Sequence, residues 1–179
     1  VGLPEFRAAG GTLFDNGLVT GSSGNLSIRL GDDLLITSHG STLSALSSRD
    51  LIKAPAHGGT CPGASWELPV HRAIYAKTPA LAVAHAHPPY SVALSLRKKG
   101  GHPAGGAAVL DAGEGIVPGA VADEIARELQ KSPLVMVRGH GTFASGKTLD
   151  DACRITIAYE ADCARICREK HIGPAENGE

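Results

Sequence analysis

At 179 residues, 42% hydrophobic and 20% charged, the chain has the size and composition of one globular domain with a single core. Its formal net charge of −1 provides no global field to draw in nucleic acid or an anionic membrane surface. No apolar run reaches the roughly 18 residues that a membrane span needs, and no leader pattern is visible, although the sequence starts at Val1. Neither a nucleic-acid nor a membrane partner is expected. Cys61, Cys153, Cys163 and Cys167 form no Cys-x-x-Cys pair, and three of them fall in one helical stretch. That usage suits reduced, partly buried thiols and a cytoplasmic protein.

In chain order, Pro4 to Asn16 reads as a helix with Phe6, Ala9 and Leu13 on one stripe, weakened by Gly10-Gly11 and capped by Gly17. Thr20 to Arg29 is a small-residue loop running into a strand. Gly31-Asp32-Asp33 is a hairpin turn, and Leu34 to Thr37 is the return strand. Ser38-His39-Gly40-Ser41-Thr42 is a second small polar loop. Such loops can wrap backbone N–H groups around an anion, and loops are also simply rich in Gly and Ser.

Ser47 to Ala54 reads as a helical turn and a short strand, and His57 to Thr60 as a turn. A helix covers Leu68 to Lys77, because Pro69 is tolerated only in a first turn. Ser65, Trp66 and Glu67 then stand at its entrance, where free N–H groups and the positive dipole end favour an anion. His71 follows Glu67 by about one helical turn.

The stretch Leu81-Ala82-Val83-Ala84-His85-Ala86-His87-Pro88-Pro89 is the right length for one buried strand, bounded by prolines. Side chains alternate along a strand, so His85 and His87 share a face at its C-terminal end. Two imidazoles on one rigid element are a start on a metal site; they also fit a pair of histidines bonded to backbone or water.

Tyr90 to Lys99 is a helix whose basic end, Arg97-Lys98-Lys99, complements the dipole. Gly100 to Gly106 is a loop, Ala107 to Leu110 a strand, Asp111 to Gly115 an acidic loop, and Val117 to Lys131 mostly helix. Leu134 to Val137 is a buried strand ending in Arg138-Gly139-His140-Gly141, which supplies a third candidate ligand, His140. The last helix runs from Leu149 to Lys170. Thr148 and Asp151 give its start signal, and Ala152, Ile155, Tyr159, Cys163 and Ile166 its apolar stripe. The tail from Gly173 is expected to fray. No repeat or linker interrupts the pattern, so residues 1–179 are expected to form a single α/β domain.

Gly24-Asn25-Leu26-Ser27, Ile36-Thr37-Ser38-His39-Gly40, Ser65-Trp66-Glu67 with His71, Ala84-His85-Ala86-His87 and Arg138-Gly139-His140-Gly141 follow one another in the order of the class II aldolase/adducin family. The chain resembles that family over about residues 5 to 168, most closely its zinc-dependent, L-fuculose-1-phosphate aldolase-like branch. The resemblance implies an α/β domain with a central, mostly antiparallel sheet covered by helices. It also implies a C4 homotetramer with each site near a subunit interface.

By position, the resemblance makes His85, His87 and His140 ligands of one Zn²⁺ per chain. Glu67 becomes the catalytic acid/base, able to bind the metal when substrate is absent. Gly24, Asn25, Thr37, Ser38, Gly40, Ser65 and Trp66 hold the substrate phosphate. The reaction implied is cleavage of a small ketose 1-phosphate to dihydroxyacetone phosphate and an aldehyde, with metal and carboxylate stabilising and protonating an ene-diolate.

Three departures stand out. Related aldolases carry Ser-Ser-Glu where this chain has Ser65-Trp66-Glu67. Residues 100–119 contain no tyrosine, although the family's aldolases use one from a neighbouring subunit as proton donor; Asp111 and Glu114 are the substitutes at hand, or are simply solvated carboxylates. The residues after the last helix contain no tyrosine either. The same zinc chemistry also serves epimerisation, dehydration and decarboxylation, and fold alone does not choose among them. A non-catalytic interaction module like the adducin head would have eroded ligands, and here all three histidines and Glu67 are present.

Overall fold

A computed structural model describes residues 2–97, 107–112 and 118–172. Helix α1 (Leu3–Asp15) leads into the hairpin β1 (Asn25–Leu30) and β2 (Asp33–Thr37), followed by β3 (Leu51–Pro55), α2 (Leu68–Lys77) and β4 (Ala82–Ala86). Then come α3 (Pro89–Ser95), β5 (Ala108–Leu110), α4 (Ala122–Glu128), β6 (Leu134–Val137), β7 (Gly141–Gly146) and α5 (Leu149–Glu169). Short 3-10 turns lie at Leu43–Ala45, Ser48–Asp50 and Pro118–Val121.

The seven strands form one sheet in the order β3-β2-β1-β4-β7-β6-β5, antiparallel throughout except for the β5–β6 pair. This is the expected single-domain α/β fold with a mostly antiparallel sheet. Among the described residues no helix is long and apolar enough to cross a membrane.

Helices cover both faces, which explains why β4 reads as a continuous apolar run: every one of its residues is buried. On one face Leu26, Ile28, Ala82, Ala84 and Ala144 pack with residues of α1, α3 and α5. On the other, Leu34, Ile36, Val83, Val135 and Phe143 pack with Ile74 of α2 and Ile125 of α4. The alanines of β4 let helices lie close to the sheet centre. Gly10, which as a helix residue is costly, serves the same end: a Cβ there would stand 2.2 Å from the Leu43 carbonyl oxygen.

Helix α2 spans the expected residues, with Pro69 in its first turn. Helix α5 begins with the reciprocal bonds between Thr148 and Asp151. Its buried face is rotated from the expected stripe, because Cys153, Thr156 and Cys167 face inward while Ile155 and Ile166 are only part-buried. None of the four cysteines, all of them described residues, is joined in a disulfide.

Three local expectations are corrected. Helix α3 ends at Ser95 rather than Lys99, with Leu96 and Arg97 exposed; Lys98 and Lys99 lie outside the described residues. The stretch from Val117 to Lys131, expected to be mostly helix, is helical in two pieces, the 3-10 turn Pro118–Val121 and α4, and stops at Glu128; Val117 lies outside the described residues. Strand β7 is not among the expected elements, since Gly141-Thr142-Phe143-Ala144-Ser145-Gly146 has only two strong strand formers between glycines. Pairing with β4 on one side and β6 on the other overrides that weak propensity.

Glu160 of α5 locks the start of α3, directly after the His-x-His strand. Its carboxylate accepts the N–H groups of Tyr90 and Ser91, each at 2.8 Å, and the Ser91 hydroxyl. Burial raises the Glu160 carboxyl, and those three donors oppose the rise. Glu160→Ala would leave both N–H groups without an acceptor in a buried setting. It should cost about 2–4 kcal/mol in urea unfolding; a loss below about 0.5 kcal/mol, the scale of a neutral surface change, would contradict this role.

Candidate active site

The ends of four elements meet at one edge of the α2-covered face: the start of β1, the end of β4, the start of β7 and the start of α2. His85 faces Asn25 across the β1–β4 ladder and Phe143 across the β4–β7 ladder. It is buried, its ring stacks on Phe143 at 4.3 Å between centroids, and its Nδ1–H donates to the Thr142 carbonyl at 2.9 Å. That bond fixes the tautomer and leaves the Nε2 lone pair facing the site.

His87 leaves the end of β4 on the same face, its Nε2 2.8 Å from Nε2 of His85. His140, in the turn between β6 and β7, stacks on His85 at 4.9 Å and 11°. The three ligand nitrogens lie within 4.8 Å of one another. Burial pushes His85 down to about 4 and His87 down to about 3, so both rings are neutral at pH 7 and able to ligate a cation. Gly141 makes the cluster sterically feasible: a Cβ there would stand 2.3 Å from the Ala86 carbonyl oxygen, 2.9 Å from the His87 ring and 3.0 Å from the His85 ring.

Glu67 caps the start of α2 and reaches the same point. Its Oε1 lies 3.0 Å from His140 Nε2, and its Oε2 lies 2.6 Å from Asn25 Nδ2 and 3.3 Å from His85 Nε2. Burial acts to raise this carboxyl; His85 beside it and hydrogen bonds from His140 and Asn25 outweigh burial and hold it well below the ordinary range. A buried carboxylate thus faces three imidazoles. All-nitrogen ligands with a carboxylate at hand are donors that suit a divalent transition metal.

Above this cluster opens a cavity of about 410 Å³. Ser22, Ser23, Gly24 and Asn25 form one wall, Ser38, His39 and Gly40 a second, and Ser65 and Trp66 a third, with Glu67 and the three histidines below. Of the phosphate-holding residues expected, Gly24, Asn25, Ser38, Gly40, Ser65 and Trp66 line the cavity. Thr37 does not: it is fully buried in β2, and its hydroxyl accepts the Leu26 N–H at 3.1 Å, pinning β1 to β2.

Many backbone donors of these loops are already engaged. The N–H of Ser38 goes to the Asp50 carbonyl, that of His39 to Gly63, and that of Ser65 to Thr37. Ser23 and Ser65 accept backbone N–H groups through Oγ, which leaves their own O–H free to turn toward the cavity.

Trp66 is 78% exposed yet stacks flat on His39, 4.0 Å between centroids and 11° between planes. His39, Ser22 and Ser23 carry no site role in the sequence reading, because nothing in a string shows that two loops far apart form facing walls. His71 is legible there only as a residue one turn beyond Glu67. Asp111 is absent from the cavity lining and pairs with Arg138 at 3.4 Å; Glu114 lies outside the described residues.

The family model described as the class II aldolase and adducin N-terminal domain matches residues 5–167. This chain belongs to that family. It is 31% identical, over 91% of its own length and 81% of the other, to a 5-methylthioribulose-1-phosphate/5-deoxyribulose-1-phosphate aldolase of Rhodospirillum rubrum. It is 30% identical to a 3,4-dihydroxyphthalate decarboxylase of Arthrobacter keyseri, over 83% of this chain and 70% of that one.

A probable bifunctional methylthioribose-1-phosphate isomerase/methylthioribulose-1-phosphate dehydratase of Nocardia farcinica is 29% identical over 87% of this chain. The match spans only 33% of that relative's length. Among solved structures, the L-fuculose-1-phosphate aldolase of Thermus thermophilus superposes with a TM-score of 0.82. It is 31% identical, with 94% of each chain covered. Class II aldolases thus share this family with enzymes named as decarboxylases and dehydratases.

The neutral buried histidines have a measurable consequence. His71, His85 and His87 sit at about 4, 4 and 3 in the folded chain, against 6.5 for a free imidazole, with burial the first cause in each. Below pH 6.5 the unfolded chain binds protons that the folded one refuses, so stability falls as pH drops toward 4. In metal-free protein the urea midpoint should fall between pH 7 and pH 5, above the range in which carboxylates titrate. An unchanged midpoint would mean that these rings are charged in the fold.

Proposed function

We propose that this chain is a zinc-dependent aldehyde-lyase that cleaves a small phosphorylated ketose, of the fuculose-1-phosphate type, to dihydroxyacetone phosphate and an aldehyde. The observation that carries this reading is the convergence of three imidazole nitrogens and the Glu67 carboxylate beneath a cavity walled by small polar loops. His85, His87 and His140 would hold one Zn²⁺ per chain. When bound, the metal supplies a Lewis acid that stabilises negative charge next to the substrate carbonyl.

The remaining work falls to the chain's own side chains. In cleavage the C4 hydroxyl gives up a proton, the C3–C4 bond breaks, and C3 gains a proton, so the reaction is proton-neutral overall. Glu67, ionised at rest, would take up the C4 hydroxyl proton and return it to C3 through Oε1, the oxygen turned toward the histidines, while Asn25 holds Oε2. Gly24, Ser38, Gly40 and Ser65, with the hydroxyl of Ser23, surround the space for the phosphate, whose binding fixes the reacting carbons over Glu67.

Trp66 and His39 form a flat aromatic wall on the same cavity, in place of the second serine of related aldolases. The exposure of Trp66 in a single chain fits a contact covered by a neighbouring subunit of a C4 tetramer, acting in the cytoplasm.

A second reading ends in decarboxylation of a 3-oxo acid. Loss of CO₂ leaves an enolate that takes up one proton at carbon, drawn from water and relayed through Glu67 with no second acid/base. It is favoured by the decarboxylases among the relatives and by the absence of tyrosine from residues 100–119.

A panel of ketose 1-phosphates and 3-oxo acid phosphates, assayed with zinc-loaded protein, decides between the two readings. Dihydroxyacetone phosphate with an aldehyde supports the first, CO₂ release the second, and neither product overturns both. Glu67→Gln should retain metal by elemental analysis yet lose about 10²–10⁴-fold in turnover, the worth of a positioned acid/base. Near-normal turnover in that variant would place the acid/base elsewhere.

A further inference from the structure

From Glu67 four polar side chains run in series, starting at Asn25 in the cavity wall and continuing into the space between α2 and the sheet. Asn25 Nδ2 lies 2.6 Å from Glu67 Oε2. Asn25 Oδ1 lies 2.5 Å from His71 Nε2, His71 Nδ1 lies 2.6 Å from Ser27 Oγ, and Ser27 Oγ lies 2.7 Å from the Tyr75 hydroxyl. His71 and Ser27 are fully buried, Tyr75 is 2% exposed and Asn25 6% exposed. Polar groups this deep in a core are costly unless each is satisfied. Here the helical spacing of Glu67, His71 and Tyr75 meets the two-residue spacing of Asn25 and Ser27 on β1.

The hydrogens in this series have one consistent arrangement. A carboxylate accepts only, so the Asn25 amide must turn its NH₂ to Glu67 and its oxygen to His71. His71 must then carry its proton on Nε2 and accept at Nδ1 from the Ser27 hydroxyl. Ser27, its one hydrogen spent on His71, in turn accepts from the Tyr75 hydroxyl. With this arrangement Oε2 is occupied by Asn25, and Oε1 is the oxygen left to face the substrate. Without the Nε2–H at Oδ1 the Asn25 amide is held at one end only and can rotate away from Glu67, leaving Oε2 unheld and the carboxylate free to swing off its position.

We propose that His71, acting through Asn25, is a positioning residue for Glu67: its Nε2–H sets the Asn25 amide so that the carboxylate is held with Oε1 toward the substrate. This rests on the reading of Glu67 as the acid/base. It also gives Asn25 a task other than the phosphate contact expected from its position in the sequence.

Two isosteric variants separate the ring nitrogens. His71→Gln places an N–H near the position of Nε2 and keeps the donor to Asn25. His71→Asn keeps an acceptor near Nδ1 for Ser27 and loses that donor. With whichever substrate of the panel is turned over, His71→Asn should lower kcat about 10–100-fold with KM within about twofold, the scale of a misplaced catalytic group. His71→Gln should restore kcat to within about threefold of wild type, an outcome that loss of packing alone does not produce. Equal losses in the two variants, or a change confined to KM, would overturn the proposal.

Adding His71→Asn to Glu67→Gln should cost nothing further, because the effect passes through the carboxylate. Full additivity would refute the coupling. If Glu67→Gln alone is near wild type, the acid/base reading fails first. If Glu67→Gln is impaired while His71→Asn is not, only the positioning role fails.

A readout independent of turnover comes from ¹⁵N NMR of the metal-free wild-type protein, which does not depend on either variant folding. His71 should show a protonated Nε2 and an unprotonated, pyridine-like Nδ1. The opposite tautomer would refute the series.

Discussion

The constraint on which the rest depends is the burial of titratable groups beneath the cavity. Glu67, His71 and His85 are each less than a tenth exposed, with His87 and His140 beside them. An apolar core does not tolerate such groups singly; each must find a partner or shed its charge. His71, His85 and His87 shed it, and Glu67 keeps it by drawing donors from Asn25 and His140. Much of the local architecture follows: the Thr142 carbonyl that takes the His85 proton, the Asn25 amide on β1, and the missing side chain at residue 141.

Sheet order makes this grouping possible. The site draws on positions 25, 67, 85, 87 and 140, and only the pair at 85 and 87 are near neighbours in sequence. Placing β1 and β7 on either side of β4 brings Asn25 and Gly141 to the flanks of the His-x-His strand, and the turn before α2 drops Glu67 over them. Large apolar residues on both faces of the sheet fix the register that this requires, since a one-residue slip in β4 would turn His85 toward α5.

How far this is legible in the chain varies with how local each signal is. The Pro69 start of α2, the alternation that puts His85 and His87 on one face, and the Thr148–Asp151 cap are written in a few adjacent residues, and the structure has them as read. Strand β7 is invisible because its reason for being extended lies in β4 and β6 rather than in its own composition. Thr37 misleads for a similar cause: it stands in the right place along the chain, but β2 is covered on both faces and its hydroxyl turns to Leu26. The Asn25 amide and the Trp66–His39 stack are pairings across loops and elements, which no periodicity announces.

Strand β7 follows β4 in the sheet but by more than fifty residues in the chain, with β5 and β6 made in between. His140 therefore joins His85 and His87 only after a large loop has closed, a slow, entropically costly contact in any chain. No early fragment of the nascent polypeptide holds all three nitrogens near one point. A cation that bridges them binds the finished fold and not its precursors, and by mass action adds its binding free energy to that long-range closure. A cation held by these three histidines would act as a latch across this long-range pairing, so its supply would bear on how long each newly made copy survives as well as on its chemistry.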